Sequence, residues 1–198
     1  MIFNNWYPFA YFMIFLVVAV GWRAYRVWRQ TGVNALTTYH NEGVYGLAST
    51  LFRLVFAGIT ITTLLNALPN TRSYLTPIVW LDQEALIWIG WILLSLVLLL
   101  VIVAQVHMGV AWRIGVDFSQ DNQLVTEGVF RYSRNPIFLG IRLAFIGLLL
   151  VAPNAWLLAF WLLGDAMIQI QVRLEEAYLL ETFGDQYKSY MKSVRRWV

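Results

Sequence analysis

The sequence predicts an all-α, polytopic membrane protein with about five transmembrane helices, and three observations carry that prediction. First, 60% of the residues are hydrophobic and 13% charged, with a mean hydropathy of +0.62, outside the range of a soluble domain. Second, five apolar blocks follow one another, each closed by a polar stretch or a turn signal. Third, Lys and Arg collect in alternate loops, which orients such helices with the cation-rich loops in the cytoplasm. Ten Trp and ten Tyr suit helices that need aromatic anchors at two membrane–water boundaries. The 198 residues read as one membrane domain, with three N-terminal spans over 1–106 and a core over 107–198. The chain has no cysteine, so a disulfide framework and thiolate chemistry are both excluded.

The first block, Trp6 to Trp22, approaches the roughly 20 residues that a spanning helix needs. No cation precedes it, while Arg23, Arg26 and Arg29 follow. It therefore reads as a span and not a secretory signal, with the N-terminus outside. A polar linker, Gln30 to Gly43, leads to the second block, Tyr45 to Leu68, which stops at Pro69-Asn70. Arg53 near its cytoplasmic end is expected to snorkel or pair, because a charge at the bilayer centre costs about 2.5–3.5 kcal/mol on insertion scales. An external loop from Asn70 to Glu84, with Arg72 as its one cation, precedes the third block, Ala85 to Val106. Gln105, His107, the segment 109–113 and a turn-rich loop from Gly115 to Glu127 follow.

The fourth block, Ile137 to Val151, and the fifth, Ala155 to Ile170, are joined by the tight turn Ala152-Pro153-Asn154. Both are short for full spans, so they tilt, thin the bilayer or form a hairpin shielded by other helices. Arg142 and Asp165 lie at similar distances from the cytoplasmic ends of these blocks and are expected to pair, since an isolated ion at that depth is costly. A helix beginning near Glu175 is expected to stop at Gly184, with Asp185 capping a second helix through Tyr187, Tyr190 and Met191. Lys188, Lys192, Arg195, Arg196 and Trp197 make that tail amphipathic, as for a helix lying on anionic lipid. Five crossings put the C-terminus and the active site in the cytoplasm, in what reads as a prokaryotic plasma membrane. Two polar islands, Gly128–Gly140 and Gln171–Glu176, then share one face.

Familiar catalytic patterns are missing. There is no G-x-S-x-G, no H-E-x-x-H and no G-x-G-x-x-G. The two histidines, His40 and His107, have no ligand spacing, so no metal is expected. The cations hug the membrane and form no basic face for nucleic acid. The islands remain. Arg131 and Arg134 can hold an anion, the planar guanidinium fork suiting a carboxylate. Pro136 starts a helix at its first turn, where free backbone N–H groups also favour an anion. Glu175 and Glu176 point about 100° apart on a helix, so one of them faces any pocket. The same residues also read as interfacial anchors and a solvated glutamate pair. Spacing alone leaves both readings open.

At these islands the chain resembles the isoprenylcysteine carboxyl methyltransferase family, integral-membrane enzymes that use S-adenosyl-L-methionine. The family pattern is G-x-Y…R-H-P-x-Y-x-G, an apolar hairpin, then E-E-x-x-L…F-G-x-x-Y-x-x-Y. This chain reads LVTEGVFRYSRNPIFLG, a hairpin, then EEAYLLETFGDQYKSY. The resemblance covers roughly Gly109 to Tyr190, and phospholipid N-methyltransferases carry a similar signature. It implies a cofactor pocket on the cytoplasmic side, roofed by the C-terminal segment, with a lipidic or amphiphilic acceptor arriving through the bilayer. Carried over by position, cofactor contacts fall on Gln123, Leu124, Val125, Phe130, Asn135, Pro136, Ile137, Phe138 and Glu175.

Departures from the pattern are informative. Asn135 replaces the family histidine, and an amide cannot titrate near neutrality. Phe130 and Phe138 replace tyrosines, keeping aromatic faces but losing hydroxyls. Gln171 stands where eukaryotic members contact the prenylcysteine through arginine, and Arg173 faces elsewhere on the helix, which argues against a prenylated protein as acceptor. The resemblance implies methyl transfer to a lipophilic or amphiphilic acceptor, with a carboxylate as the leading candidate. Arg134 would position that carboxylate. For an amine acceptor, as in phospholipid N-methylation, Glu176 would take the proton. A non-catalytic scaffold or transport subunit is the rival of another class.

Overall fold

The computed structural model describes residues 4–32, 43–109 and 124–198. The linker with His40 and the loop with Gln123 and most of the segment 109–113 lie outside the described residues. Six helices account for most of the rest: α1 Trp6–Leu16, α2 Arg23–Thr31, α3 Gly43–Ala67, α4 Glu84–Met108, α5 Pro136–Val151 and α6 Ala155–Ser193. Among the described residues, four helical segments are long and apolar enough to cross a membrane, namely Trp6–Arg26, Gly46–Ala67, Glu84–Met108 and Ala155–Ser193. The shorter α5, 16 residues long, is apolar apart from Arg142. The chain is an all-α integral membrane protein, as its composition predicts.

The first span is not a uniform helix. A π-helical turn, Val17–Trp22, links α1 to α2. Such a turn shifts the i→i−4 ladder to i→i−5 bonding, and a backbone carbonyl within it is used by a neighbouring helix. Here the neighbour is Gln105 of α4, whose Nε2 donates to the Ala19 carbonyl at 2.6 Å. The buried amide is thereby satisfied inside the apolar core. Arg53 is exposed and donates to the Ser49 carbonyl and the Thr50 hydroxyl, both at 3.3 Å, so it turns along its own helix.

α4 packs along α5, and small residues set the approach. A Cβ at Gly140 would stand 2.6 Å from the Val101 side chain. At Gly147 it would stand 2.6 Å from Leu94, and at Gly90 2.7 Å from Val151. Around this contact Phe12, Phe15, Val55, Ile59, Leu94, Val97, Phe145, Leu148, Ile168 and Val172 form one buried core drawn from five helices.

The turn between α5 and α6 behaves as Pro153-Asn154 suggest. Asn154 caps α6, its side-chain oxygen accepting from the Leu157 N–H at 2.9 Å. Its neighbours clasp the loop that precedes α4: Ile78 N–H donates to Pro153 O at 3.0 Å and Ala155 N–H to Thr76 O at 3.1 Å.

One expectation is corrected at α6 and one is met. The fifth block does not end at Ile170, because the helix runs on from Ala155 as far as Gly184. At 1.5 Å per residue that is about 43 Å, longer than the ~30 Å hydrocarbon core, so its far end stands clear of it. Gly184 interrupts the helix as expected, adopting the non-helical φ 50° and ψ −122°, and a second helical stretch follows it to Ser193 across a kink. Asp185, at the start of that stretch, pairs with Lys188 at 2.9 Å.

Filling the α4–α5 contact should destabilise the fold. Gly147→Leu is expected to cost on the order of 1–3 kcal/mol by overpacking, read as a lowered unfolding temperature in detergent, whereas Gly21→Leu, where no atom lies within 4 Å of an added Cβ, should leave that temperature nearly unchanged.

Candidate functional site

The first island folds as a short 3-10 turn, Gly128–Arg131, followed by Tyr132-Ser133-Arg134-Asn135 and then α5. Gly128 opens it at φ 62°, and a Cβ there would also stand 2.6 Å from the His107 ring, so glycine is required on both counts. Pro136 occupies the first position of α5, and no side chain caps that end. The first helical hydrogen bond runs from Leu139 N–H to Asn135 O at 2.9 Å. The N–H groups of Ile137 and Phe138 therefore have no partner within the helix.

Glu176 is the centre of the site. It is buried, and both of its oxygens are occupied. Oε1 accepts from Arg134 Nε at 3.1 Å, Arg134 Nη2 at 2.9 Å and Asn135 Nδ2 at 3.3 Å. Oε2 accepts from Arg196 Nε at 3.0 Å and Nη2 at 2.7 Å. Two guanidinium groups, each giving two N–H donors to a single oxygen of the carboxylate, compensate its burial. The same hydrogen bonds raise the pKa of the Arg196 guanidinium above its ordinary value. Arg134 is used further, Nη1 donating to Val194 O at 2.6 Å and Met191 O at 3.3 Å.

These bonds draw the last residues, 194–198, across the island as a strap. Arg134 N–H donates to Arg195 O at 3.0 Å, and Ser133 Oγ and Asn135 Nδ2 each donate to Arg196 O at 3.3 Å. Tyr190 Oη donates to Phe130 O at 2.6 Å, so the end of α6 also holds the 3-10 turn. Tyr187, one turn before, is fully buried. Below the strap, Arg142 Nε and Asp165 Oδ1 pair at 2.5 Å, the bridge expected across the hairpin. The Trp197 ring lies 4.5 Å from the Arg142 guanidinium carbon.

Of the residues singled out in the sequence, Arg134, Asn135 and Glu176 meet directly. Phe130, Asn135 and Pro136 are buried, while Leu124, Val125, Ile137, Phe138, Glu175 and Gln171 are half-buried. Arg173 is exposed and turns back onto its own helix, donating to Gln169 O at 3.0 Å. Gln123 lies outside the described residues. The lipid-facing role expected for Arg196 and Trp197 is corrected, because the helix ends at Ser193 and both side chains fold inward onto Glu176 and Arg142. A terminal basic-aromatic run has the composition of an interfacial anchor, and only the buried carboxylate across the gap redirects it. The pair Tyr187 and Tyr190 was visible as an i,i+3 repeat after Gly184, without an assigned partner.

A sequence profile described as phospholipid methyltransferase matches residues 85–186, spanning α4, both islands and the hairpin. The chain belongs to the phospholipid methyltransferase family. A curated relative, the protein-S-isoprenylcysteine O-methyltransferase of Schizosaccharomyces pombe (strain 972 / ATCC 24843), is 34% identical over 77 residues, covering 38% of this chain and 33% of the relative. The match thus extends over about a third of the relative's length. Both comparisons bear out the resemblance read from the two motifs.

Removing the second fork should loosen the strap of this family member. Arg196→Gln is expected to cost about 1–3 kcal/mol, because Glu176 loses a charged partner while staying buried. Hydrogen exchange at the amides of 194–198 and limited proteolysis should both accelerate.

Proposed function

We propose that the protein is an S-adenosyl-L-methionine-dependent methyltransferase that acts on a lipophilic or amphiphilic acceptor, with O-methylation of a carboxylate as the favoured chemistry. The observation that carries this reading is the convergence of both family motifs on one clamp at the island end of α5 and α6. The residues around that clamp fit the cofactor. The N–H groups of Ile137 and Phe138, uncapped by any side chain, suit the carboxylate of its amino-acid end. Half-buried Leu124, Val125, Ile137 and Phe138 supply apolar surface for an adenine. Glu175, one position round the helix from Glu176, suits an ammonium or ribose hydroxyls.

When bound, S-adenosyl-L-methionine supplies a sulfonium methyl, whose C–S bond breaks with its electron pair left on sulfur as the acceptor atom bonds carbon. The chain's own task is alignment and exclusion of water, because an in-line displacement gains most from a fixed near-attack geometry. Arg134 and Glu176 occupy each other in this arrangement. They act as positioning residues that hold strap, island and α6 together, and not as the acceptor-binding cation and proton-accepting base that the sequence suggests. A carboxylate already tied by five hydrogen bonds is a weak base. An ionised carboxylate acceptor needs no base, and this favours O-methylation.

The second reading is methylation of a phospholipid amine, favoured by the name of the matching family profile. On the positive-inside rule the site faces the cytoplasm and the N-terminus the outside. Gln171 in place of the family arginine argues for an acceptor other than a prenylated protein.

Calorimetric titration of the detergent-solubilised protein with S-adenosylhomocysteine tests the cofactor assignment, and Glu175→Ala should weaken binding at least about tenfold, or 1.4 kcal/mol. No heat with the unmodified protein at millimolar ligand would remove both enzyme readings. Labelled methyl transfer to oleate, but not to dioleoylphosphatidylethanolamine, is the outcome expected for the favoured acceptor class.

A further inference from the structure

We infer that Arg142, held by Asp165 and stacked by Trp197, is an anionic-headgroup site that selects the carboxylate of the acceptor. This inference rests on the reading above and deepens it. Ionisable residues within membrane helices are costly and face function by default. Arg142 and Asp165 lie in α5 and α6 and are neither buried nor fully open, their side chains being 25% and 31% exposed. Their pairing is incomplete. Arg142 donates through Nε alone to Asp165 Oδ1, and neither Nη atom donates a hydrogen bond among the described residues. A guanidinium with its Nη edge unmet beside a hydrocarbon phase requires an oxygen acceptor. Below the island, that acceptor has to arrive on an amphiphile.

Position favours the methyl acceptor as that amphiphile. Phe138 and Arg142 are four residues apart on α5, so they share one helix face about one turn apart. Asp165 and Glu176 are eleven residues apart on α6, about three full turns, which puts them on one stripe. The Arg142–Asp165 pair therefore lies directly beneath the Arg134–Glu176 clamp, on the membrane side of the residues assigned to the cofactor. The strap reaches this level through Trp197, whose ring over the guanidinium immobilises its plane without consuming a donor. Asp165 fixes the Nε edge and leaves the Nη edge forward. A planar edge of two N–H donors matches a carboxylate bidentately, where a lysine would offer a point charge. An acyl chain attached to that carboxylate then runs along apolar helix surface.

The shared chemistry is an anionic oxygen headgroup, which either a fatty carboxylate or a lipid phosphate can present. Three variables separate the cases. In uncharged dodecyl maltoside at alkaline pH, affinities are measured by native mass spectrometry for oleate, oleyl alcohol and dioleoylphosphatidate. S-adenosylhomocysteine affinity is measured on the same preparations. Oleate should bind at least about tenfold tighter than oleyl alcohol. That ratio should fall to about one in the charge-free double variant Arg142→Gln, Asp165→Asn, with S-adenosylhomocysteine affinity retained. A ratio unchanged in the double variant overturns the site. Complete displacement of oleate by equimolar phosphatidate makes it a structural-lipid site and overturns the acceptor assignment. If the double variant does not fold, Arg142→Lys decides, since it keeps the charge beside Asp165 but loses the fork. It should lose most of the oleate preference, and a fully retained preference overturns the proposal. Failure of the unmodified protein to bind S-adenosylhomocysteine would sink the methyltransferase reading alone, leaving the oleate ratio to judge this site separately.

Discussion

Everything at the island end of the molecule depends on how a buried carboxylate, Glu176, is neutralised. It projects from α6 just past the apolar part of that helix, where neither water nor lipid can solvate it well. Arg134 approaches from the turn before α5 and Arg196 from the strap, and each donates two hydrogen bonds to it. Three segments far apart in sequence are thereby fixed to one point. Removing Glu176 would leave Arg134 buried without its charged partner, which is the costly outcome for ion pairs of this kind, whereas removing either arginine leaves Glu176 one partner. The clamp acts through position, because a carboxylate so fully bonded has little capacity left for proton transfer.

The helices beneath make that clamp possible. Glycines at 90, 140 and 147 let α4 and α5 approach closely, and the Asn154 cap starts α6 at a defined register. The register matters, since eleven residues separate Asp165 from Glu176 and so place both on one stripe. Among the described residues, three polar groups inside the apolar layer meet partners within the protein. Gln105 reaches a carbonyl at the π-helical turn, Tyr11 donates to Leu94 O at 2.7 Å, and Arg142 meets Asp165. Without water to fall back on, such groups need internal partners.

Arg142 differs from the other two in being only partly answered. Gln105 and Tyr11 have found oxygen acceptors within the protein, whereas the Nη edge of Arg142 has none among the described residues. The difference between a satisfied and an unsatisfied donor at membrane depth is what separates scaffold from recognition surface here.

Hydrophobicity, turn residues and charge asymmetry are local properties, so the sequence alone determined the spans, the Pro153-Asn154 turn, the paired islands and the family they resemble. It also anticipated the Arg142–Asp165 bridge, because the cost of a lone ion at depth constrains its partner to the facing helix. The break at Gly184 was legible too, since glycine is the residue that leaves helical φ/ψ at least cost. Two features were legible only in the tertiary structure. α6 runs on past Ile170 with no break before Glu175. Arg196 and Trp197 have the composition of a lipid anchor, yet turn inward. Their partners, Glu176 and Arg142, lie 20 and 55 positions away, and no local pattern encodes a contact whose energy exists only after α5 and α6 have been brought side by side.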